Sequence, residues 1–168
     1  MTSLPAAADL VRNLDLLPHP EGGFYRETYR ATTQVGGGRP AATMIYFLLP
    51  AGHVSRLHRI DADEGWHHYL GGTLEIYELD EGCAVSSARV TRLGKDLSRG
   101  EVLQHLVPAG RWFGAAPAAG SPYALVGCTV APGFEFSQFE LGRREELLAR
   151  FPAAAEVVTR LTAVTART

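Results

Sequence analysis

The stretch that decides the fold is GHVSRLHRIDADEGWHHYLG, residues 52–71. It holds four of the six histidines and reads as two short strands on either side of a turn at residues 61–63. If the strands pair as a hairpin around residue 62, position 58 lies opposite 66, 60 opposite 64, and 56 opposite 68. Alternation along each strand then places one set of side chains on a common face: Arg56, His58, Ile60, Glu64, Trp66 and His68.

The spacing within this stretch resembles the first motif of cupin barrels. Gly52, His58, Glu64 and Gly71 stand in the order and at the intervals of that motif. The usual motif has a second histidine two residues after the first, where this chain has Ile60. The resemblance therefore implies an inward-facing face on which part of the usual metal site is missing.

Further blocks of the chain are similar to the Cupin_5 family, formerly a domain of unknown function. The blocks are HPEGGFYRETYR at 19–30, DEGWHHYLGG at 63–72, VPAGRWFGA at 107–115, GCTVAPGFEFSQFELG at 127–142, and the closing REELLARFP. The resemblance spans residues 14–162 and implies an all-β fold, the double-stranded β-helix or jelly-roll barrel of the cupins. The barrel is expected at about residues 23–141.

The ends of the chain have helical patterns. Leu10, Val11 and Leu14 have helical spacing and predict a short N-terminal helix, and residues 143–162 predict helices that pack outside the barrel. About ten short strands between them indicate an antiparallel barrel or sandwich, in one domain covering residues 1–168.

Composition narrows the partners and the compartment. A net charge of −2 with interspersed signs argues against nucleic acid or a charged membrane surface, so a small molecule is the expected ligand. Cys83 and Cys128 lack CxxC spacing, and no targeting or membrane-spanning segment is evident, so we expect a cytoplasmic protein. The continuous apolar run TMIYFLLP at 43–50 predicts a strand covered on both faces, and a homodimer through the N-terminal strands would cover it.

One interpretation of the inward face is a metal centre. Two histidines and a carboxylate form the facial arrangement of non-haem iron sites, so a bound divalent metal would have His58, Glu64 and His68 as ligands. The cupin resemblance argues against it. Ile60 stands at one usual ligand position, and Phe113 follows the second-motif turn where a histidine is usual. A metal-dependent oxygenase or metallo-isomerase is therefore the alternative, and no cofactor is expected.

The preferred interpretation is a metal-free isomerase or epimerase. The pattern resembles the cupin sugar-nucleotide epimerases, which use a barrel histidine as base and a tyrosine as acid. His58 would then be the base, with Glu64 and His68 as further catalytic groups, and Arg56 would offset negative charge. The remaining candidates for substrate contact are aromatic: Trp66, Trp112, Phe113, Tyr46 and Tyr77.

A third interpretation is a protein that binds a small ligand without turnover, or whose polar groups only satisfy one another inside the barrel. His19 and His105 are isolated in the sequence, and we expect them to be exposed or structural.

Overall fold

The computed structural model describes residues 4–80 and 88–162, and Cys83 lies outside that range. The strands are β1 Leu17–Pro18, β2 Phe24–Arg30, β3 Gln34–Val35, β4 Arg39–Pro40, β5 Thr43–Pro50, β6 Ser55–Arg59, β7 Asp63–Gly71, β8 Leu74–Glu78, β9 Arg89–Leu93, β10 Gln104–Val107, β11 Phe113–Pro117, β12 Tyr123–Ala131 and β13 Glu140–Leu141. The α-helices are α1 Ala7–Asn13, α2 Arg144–Arg150 and α3 Ala155–Arg160.

Two antiparallel sheets form the barrel. The first has the order β1-β2-β5-β12-β7-β10 and the second has the order β13-β6-β11-β8-β9, while β3 and β4 form a separate small pair. Their inner faces enclose one apolar cluster, which contains Phe47, Trp66 and Phe113. The predicted all-β jelly roll with short flanking helices is confirmed.

The predicted hairpin between residues 54–60 and 64–70 is wrong. Strand β7 pairs with β12 and β10 in the first sheet, whereas β6 pairs with β11 and β13 in the second. The turn at residues 61–63 therefore carries the chain from one sheet to the other. Inward side chains of β6 and β7 therefore face each other across the barrel interior, and the two strands are not hydrogen-bonded to each other.

Helix α1 covers the outer face of β5. Leu10 and Leu16 pack with Leu48 and Leu125 in a cluster outside the barrel, while Phe47 and Leu49 of the same strand point inward. Residues 47–49 of the apolar run are thus buried on both faces within one chain, whereas Met44 is exposed. The run does not by itself require a second subunit, and the homodimer stays a prediction.

The C-terminal helices pack against the second sheet. Leu147 of α2 and Val158 of α3 are buried with Leu57 and Trp112. Before these helices, residues Phe136–Gln138 form a 3₁₀ turn and Glu140–Leu141 pair as a short strand. Across residues 4–80 and 88–162, no helix has the length and apolarity needed to cross a bilayer.

Candidate functional site

One end of the barrel interior holds a cavity of about 490 Å³. The register of the first sheet aligns Thr43, Val130 and Glu64 across β5, β12 and β7 at this end, whereas Leu49 and Ala124 fill the other end with hydrocarbon. The polar and ionisable lining residues are His19, Glu21, Tyr25, Glu27, Arg30, Thr43, His58, Glu64, Cys128 and Glu135. The apolar lining residues are Ile45, Phe47, Ile60, Val130, Phe134 and Phe136.

The loop between β1 and β2 carries His19 and Glu21 into the cavity. Gly22 and Gly23 follow with φ of 115° and 69°, which a side chain would disfavour. A Cβ atom at Gly22 would also overlap the carbonyl oxygen of Val54. The guanidinium of Arg56 donates to the carbonyl oxygens of Pro20 and Glu21, so both β6 and the glycines fix this loop.

Glu21 and His58 form a buried pair. His58 is 2% exposed and Glu21 is 6% exposed. Nε2 of His58 lies 3.2 Å from Oε2 of Glu21, and the hydroxyl of Ser55 donates to Oε1 of Glu21 at 2.7 Å. On the other side of the ring, Nδ1 of His58 lies 2.7 Å from the carbonyl oxygen of Arg56. Because a carbonyl only accepts, Nδ1 carries a hydrogen and Nε2 is the nitrogen directed at Glu21.

Burial sets the protonation of this pair. It lowers the pKa of His58 to about 4, partly opposed by the hydrogen bond to the Arg56 carbonyl. Burial also raises the pKa of Glu21, although His19, Ser55 and Arg56 favour its ionised form. Burial therefore favours the neutral form of each group.

Glu64 is the second buried carboxyl of the cavity. It is 7% exposed and comes from β7. Its pKa rises to about 8, chiefly because of burial and secondarily because of the charge of Glu21, while a hydrogen bond with Cys128 lowers it. The same surroundings raise the pKa of the Cys128 thiol well above its ordinary value. Glu64 is thus protonated at neutral pH and ionises only in mildly alkaline solution or beside a cation.

The residues at the usual cupin ligand positions do not fit a metal ion. The apolar side chain of Ile60 lines the cavity, and the ring centroids of Phe113 and His58 are 4.2 Å apart. Nδ1 of His58 is engaged by a carbonyl and Nε2 by Glu21. Over residues 4–80 and 88–162, no group of three or more His, Cys, Asp or Glu has metal-site geometry.

Of the predicted catalytic residues, His58 and Glu64 line the cavity, and His68 does not. Nε2 of His68 lies 2.9 Å from the carbonyl oxygen of Gly72, and its Nδ1 is buried with no hydrogen-bond partner among the described residues. The register between β7 and β12 shifts at this point, because Leu125 and Val126 face Leu70 and His68 and leave Tyr69 of β7 as the extra residue of a bulge. The structure therefore separates His68 from the pair that it was expected to join.

The residues predicted to contact substrate lie in several places. Trp66 packs between Phe47 and Phe113 inside the barrel, and neither Trp66 nor Phe113 lines the cavity. The guanidinium of Arg56 binds the 20–21 backbone. The other three lie outside the interior: Tyr46 packs near Tyr69 under α1, Tyr77 bonds Glu75 and Arg160, and Trp112 lies under the Arg59 guanidinium.

Sequence reasoning missed His19 and Glu21, and it left open whether Tyr25 faces inward. The side chain of His19 is largely buried, and its Nδ1 lies 3.7 Å from Oε2 of Glu21. The ring centroids of His19 and Tyr25 are 4.5 Å apart. The one signal was the HPEGG segment, in which a histidine and a glutamate precede two glycines directly before a barrel strand. His105, also expected to be isolated, instead bonds Glu78 at 2.7 Å outside the cavity.

Two antiparallel sheets around a buried polar cavity define a cupin-type barrel. The sequence profile described as Cupin superfamily (DUF985) matches residues 8–142, and the chain belongs to this Cupin_5 family. No curated protein in the comparison matches the chain.

Two solved structures are similar over nearly the whole chain. A protein from Shewanella oneidensis is 41% identical, with a TM-score of 0.89, over 96% of this chain and 100% of the other. A hypothetical protein from Leishmania major is 32% identical, with a TM-score of 0.88, over 95% and 100%. Oxalate decarboxylase from Bacillus subtilis matches with a TM-score of 0.54 at 15% identity, over 86% of this chain and 36% of that one. That likeness concerns the fold alone.

Proposed function

We propose that the protein is a metal-independent isomerase or epimerase that moves a proton on a small carbonyl-containing or sugar-like molecule in the barrel. The supporting observation is the contact of 3.2 Å between Nε2 of His58 and Oε2 of Glu21 in a cavity that also contains Glu64. Isomerisation by proton transfer needs one group that accepts a proton and one that donates, with water excluded. The cavity offers both.

His58 is the base in this proposal. The lone pair of Nε2 takes the proton from the carbon next to the carbonyl, and the adjacent Oε2 of Glu21 accepts a hydrogen bond from the imidazolium. The hydrogen bond from Nδ1 to the Arg56 carbonyl keeps the ring oriented throughout. The same imidazolium then returns the proton to the neighbouring carbon, which restores the starting state of the enzyme.

Tyr25 is the acid in this proposal. Its phenol lines the cavity and donates to the carbonyl oxygen as the enol forms. It recovers the proton when the carbonyl reforms, so atoms and charge balance over the cycle. Glu64 lies in the same cavity, and its raised pKa of about 8 allows it to lose a proton near neutral pH when a ligand binds.

Hydrogen exchange tests this proposal directly. The protein is incubated in D₂O with a panel of aldoses, ketoses and 2-keto acids, and NMR follows deuterium entering the carbon next to the carbonyl. We expect His58→Asn to lower the exchange rate by roughly 10²- to 10⁴-fold, the usual contribution of a positioned general base. His105→Asn is the matched control, because His105 also bonds a glutamate but lies away from the cavity.

Absence of exchange with every panel member that binds would favour the alternative, a protein that binds a small ligand without turnover. Normal exchange in the His58 variant would instead remove His58 from the base role.

A further inference from the structure

We propose that the ligand of this cavity carries a protonated amine and binds it through Glu64. The inference deepens the proposed function, because the amine belongs to the molecule whose proton is moved. It concerns binding alone, so it can be tested without turnover.

The ionisable side chains that line the cavity are mostly acidic, which favours a cationic ligand. Its described lining contains four glutamates, Glu21, Glu27, Glu64 and Glu135, against the single arginine Arg30. Arg30 is already paired, since its Nε and Nη2 donate to both carboxylate oxygens of Glu27 at 2.9 Å and 2.7 Å. Both residues are partly exposed and stand at the opening, where Glu135 adds a further negative charge. An approaching anion would meet no unpaired cation among these groups.

The interior offers an anion no better partner. His58 is held neutral, and burial likewise lowers the pKa of His19. Arg56, expected from the sequence to offset negative charge, directs its guanidinium to the 20–21 backbone instead. A phosphate or carboxylate group would therefore lose its hydration in this cavity without gaining a positive partner.

Glu64 is the carboxyl available to a ligand. The two oxygens of Glu21 are occupied by His58 and Ser55, whereas the partner of Glu64 is the Cys128 thiol, a weak donor. A protonated amine brings up to three strong donors and a charge that compensates the carboxylate.

The apolar lining residues of the cavity can pack against the carbon skeleton of such a ligand. Phe47, Phe134 and Phe136 line the cavity together with Ile45 and Val130. Aromatic faces attract cations as well as apolar groups, so a small ammonium compound with an apolar body matches both parts of the lining.

A proton balance follows from the surroundings of Glu64. The titratable groups against it are Glu21 on the β1–β2 loop, whose charge favours the protonated form of Glu64, and Cys128 on β12, whose hydrogen bond favours the carboxylate; burial is the largest effect and favours the protonated form. An ammonium ion requires the carboxylate, so binding near neutral pH must expel about one proton. Affinity for an amine that stays protonated should rise by up to about tenfold per pH unit below the pKa of Glu64 and level off above it.

Isothermal titration calorimetry with benzylamine, benzyl alcohol and benzoate isolates the charge, because the three probes share one ring. We expect at least about tenfold tighter binding of benzylamine than of benzyl alcohol, with benzoate weakest. Repeating the benzylamine titration in buffers with different ionisation enthalpies should show release of about one proton at pH 7.

Two variants test the assignment to Glu64. Glu64→Gln keeps the shape of the side chain and should abolish both the amine preference and the proton release. Glu78→Gln is the control, because Glu78 is equally buried and bonds His105 outside the cavity; both properties should persist. Equal binding of all three probes, binding of none, tighter binding of benzoate, or an amine preference that survives in Glu64→Gln would each overturn the inference.

The outcome is independent of the proposed reaction. Amine binding without hydrogen exchange on any amino-carbonyl compound would retain this inference and remove the isomerase. Hydrogen exchange on neutral or acidic carbonyl compounds, without any preference for amines in binding, would retain the isomerase and remove this inference.

Discussion

Replacing Glu64 by glutamine should change the pH dependence of stability in one defined window. The carboxyl has an ordinary pKa of 4.5 in the unfolded chain and about 8 in the folded barrel. Between these values the folded protein holds a proton that the unfolded chain has lost. The free energy of unfolding therefore falls as the pH rises, and this contribution is fully present below 4.5 and lost as the pH passes 8.

His58 acts in the opposite sense at lower pH. Its pKa is about 4 in the folded protein and ordinarily 6.5, so between those values the unfolded chain binds the extra proton and stability rises with pH. The two effects largely cancel from pH 4.5 to 6.5. From pH 6.5 to 8 the Glu64 effect is unopposed, and at about 1.4 kcal/mol per pH unit it amounts to about 2 kcal/mol.

The measurement is urea unfolding of the wild type and of Glu64→Gln at pH 6.5, 7.2 and 8. We expect the variant to gain about 2 kcal/mol relative to the wild type across this range. Glu21 also has a raised pKa but is present in both proteins, and any constant packing cost of the amide cancels in the comparison. Parallel pH curves for the two proteins would show that Glu64 is not held protonated in the folded state.

Three further predictions concern the packing of helix α1, the metal content and the oligomeric state. Leu10→Ala should lower the free energy of unfolding by about 2–5 kcal/mol, because Leu10 is buried between α1 and the barrel, whereas the exposed Leu4→Ala should have no effect in the same urea titration. Elemental analysis of protein purified without chelator should find well under one equivalent of iron, nickel, manganese or zinc; one equivalent that is lost in His68→Ala would restore the metal site predicted as the alternative. Light scattering should give a dimer mass, because Tyr29 and Met44 lie side by side and exposed on β2 and β5; a monomer at micromolar concentration would refute it.

The sequence was sufficient to predict the barrel and three of its cavity residues, His58, Ile60 and Glu64. Motif spacing identified His58 and Glu64 as inward-facing, and both line the cavity. Alternation defines which face a side chain occupies but not which strand lies beside it, so the hairpin pairing was wrong although the inward facing of His58 and Glu64 was right. Continuous hydrophobicity at 43–50 likewise indicated burial on both faces without indicating that α1 provides the outer cover.

The other half of the site was not predictable from strand patterns. Glu21 lies in an irregular loop, where no periodicity indicates the direction of a side chain. Arg56 lies at a register shift between β6 and β11, where the extra residue breaks the two-residue period on which its inward facing was based. Loops and bulges depend on tertiary contacts such as the one between Gly22 and Val54, and these leave little trace in local sequence.

The two hydrogen-bonding roles of Arg56 determine what mutational scanning can detect at this position. Alanine there would remove the guanidinium from the 20–21 backbone but retain the carbonyl that binds Nδ1 of His58. A side-chain scan would therefore report on loop anchoring and miss the control of the imidazole tautomer. That control belongs to the peptide backbone, so an insertion or deletion within 55–57, or an amide-to-ester replacement that weakens this carbonyl as an acceptor, is the change that would reveal it.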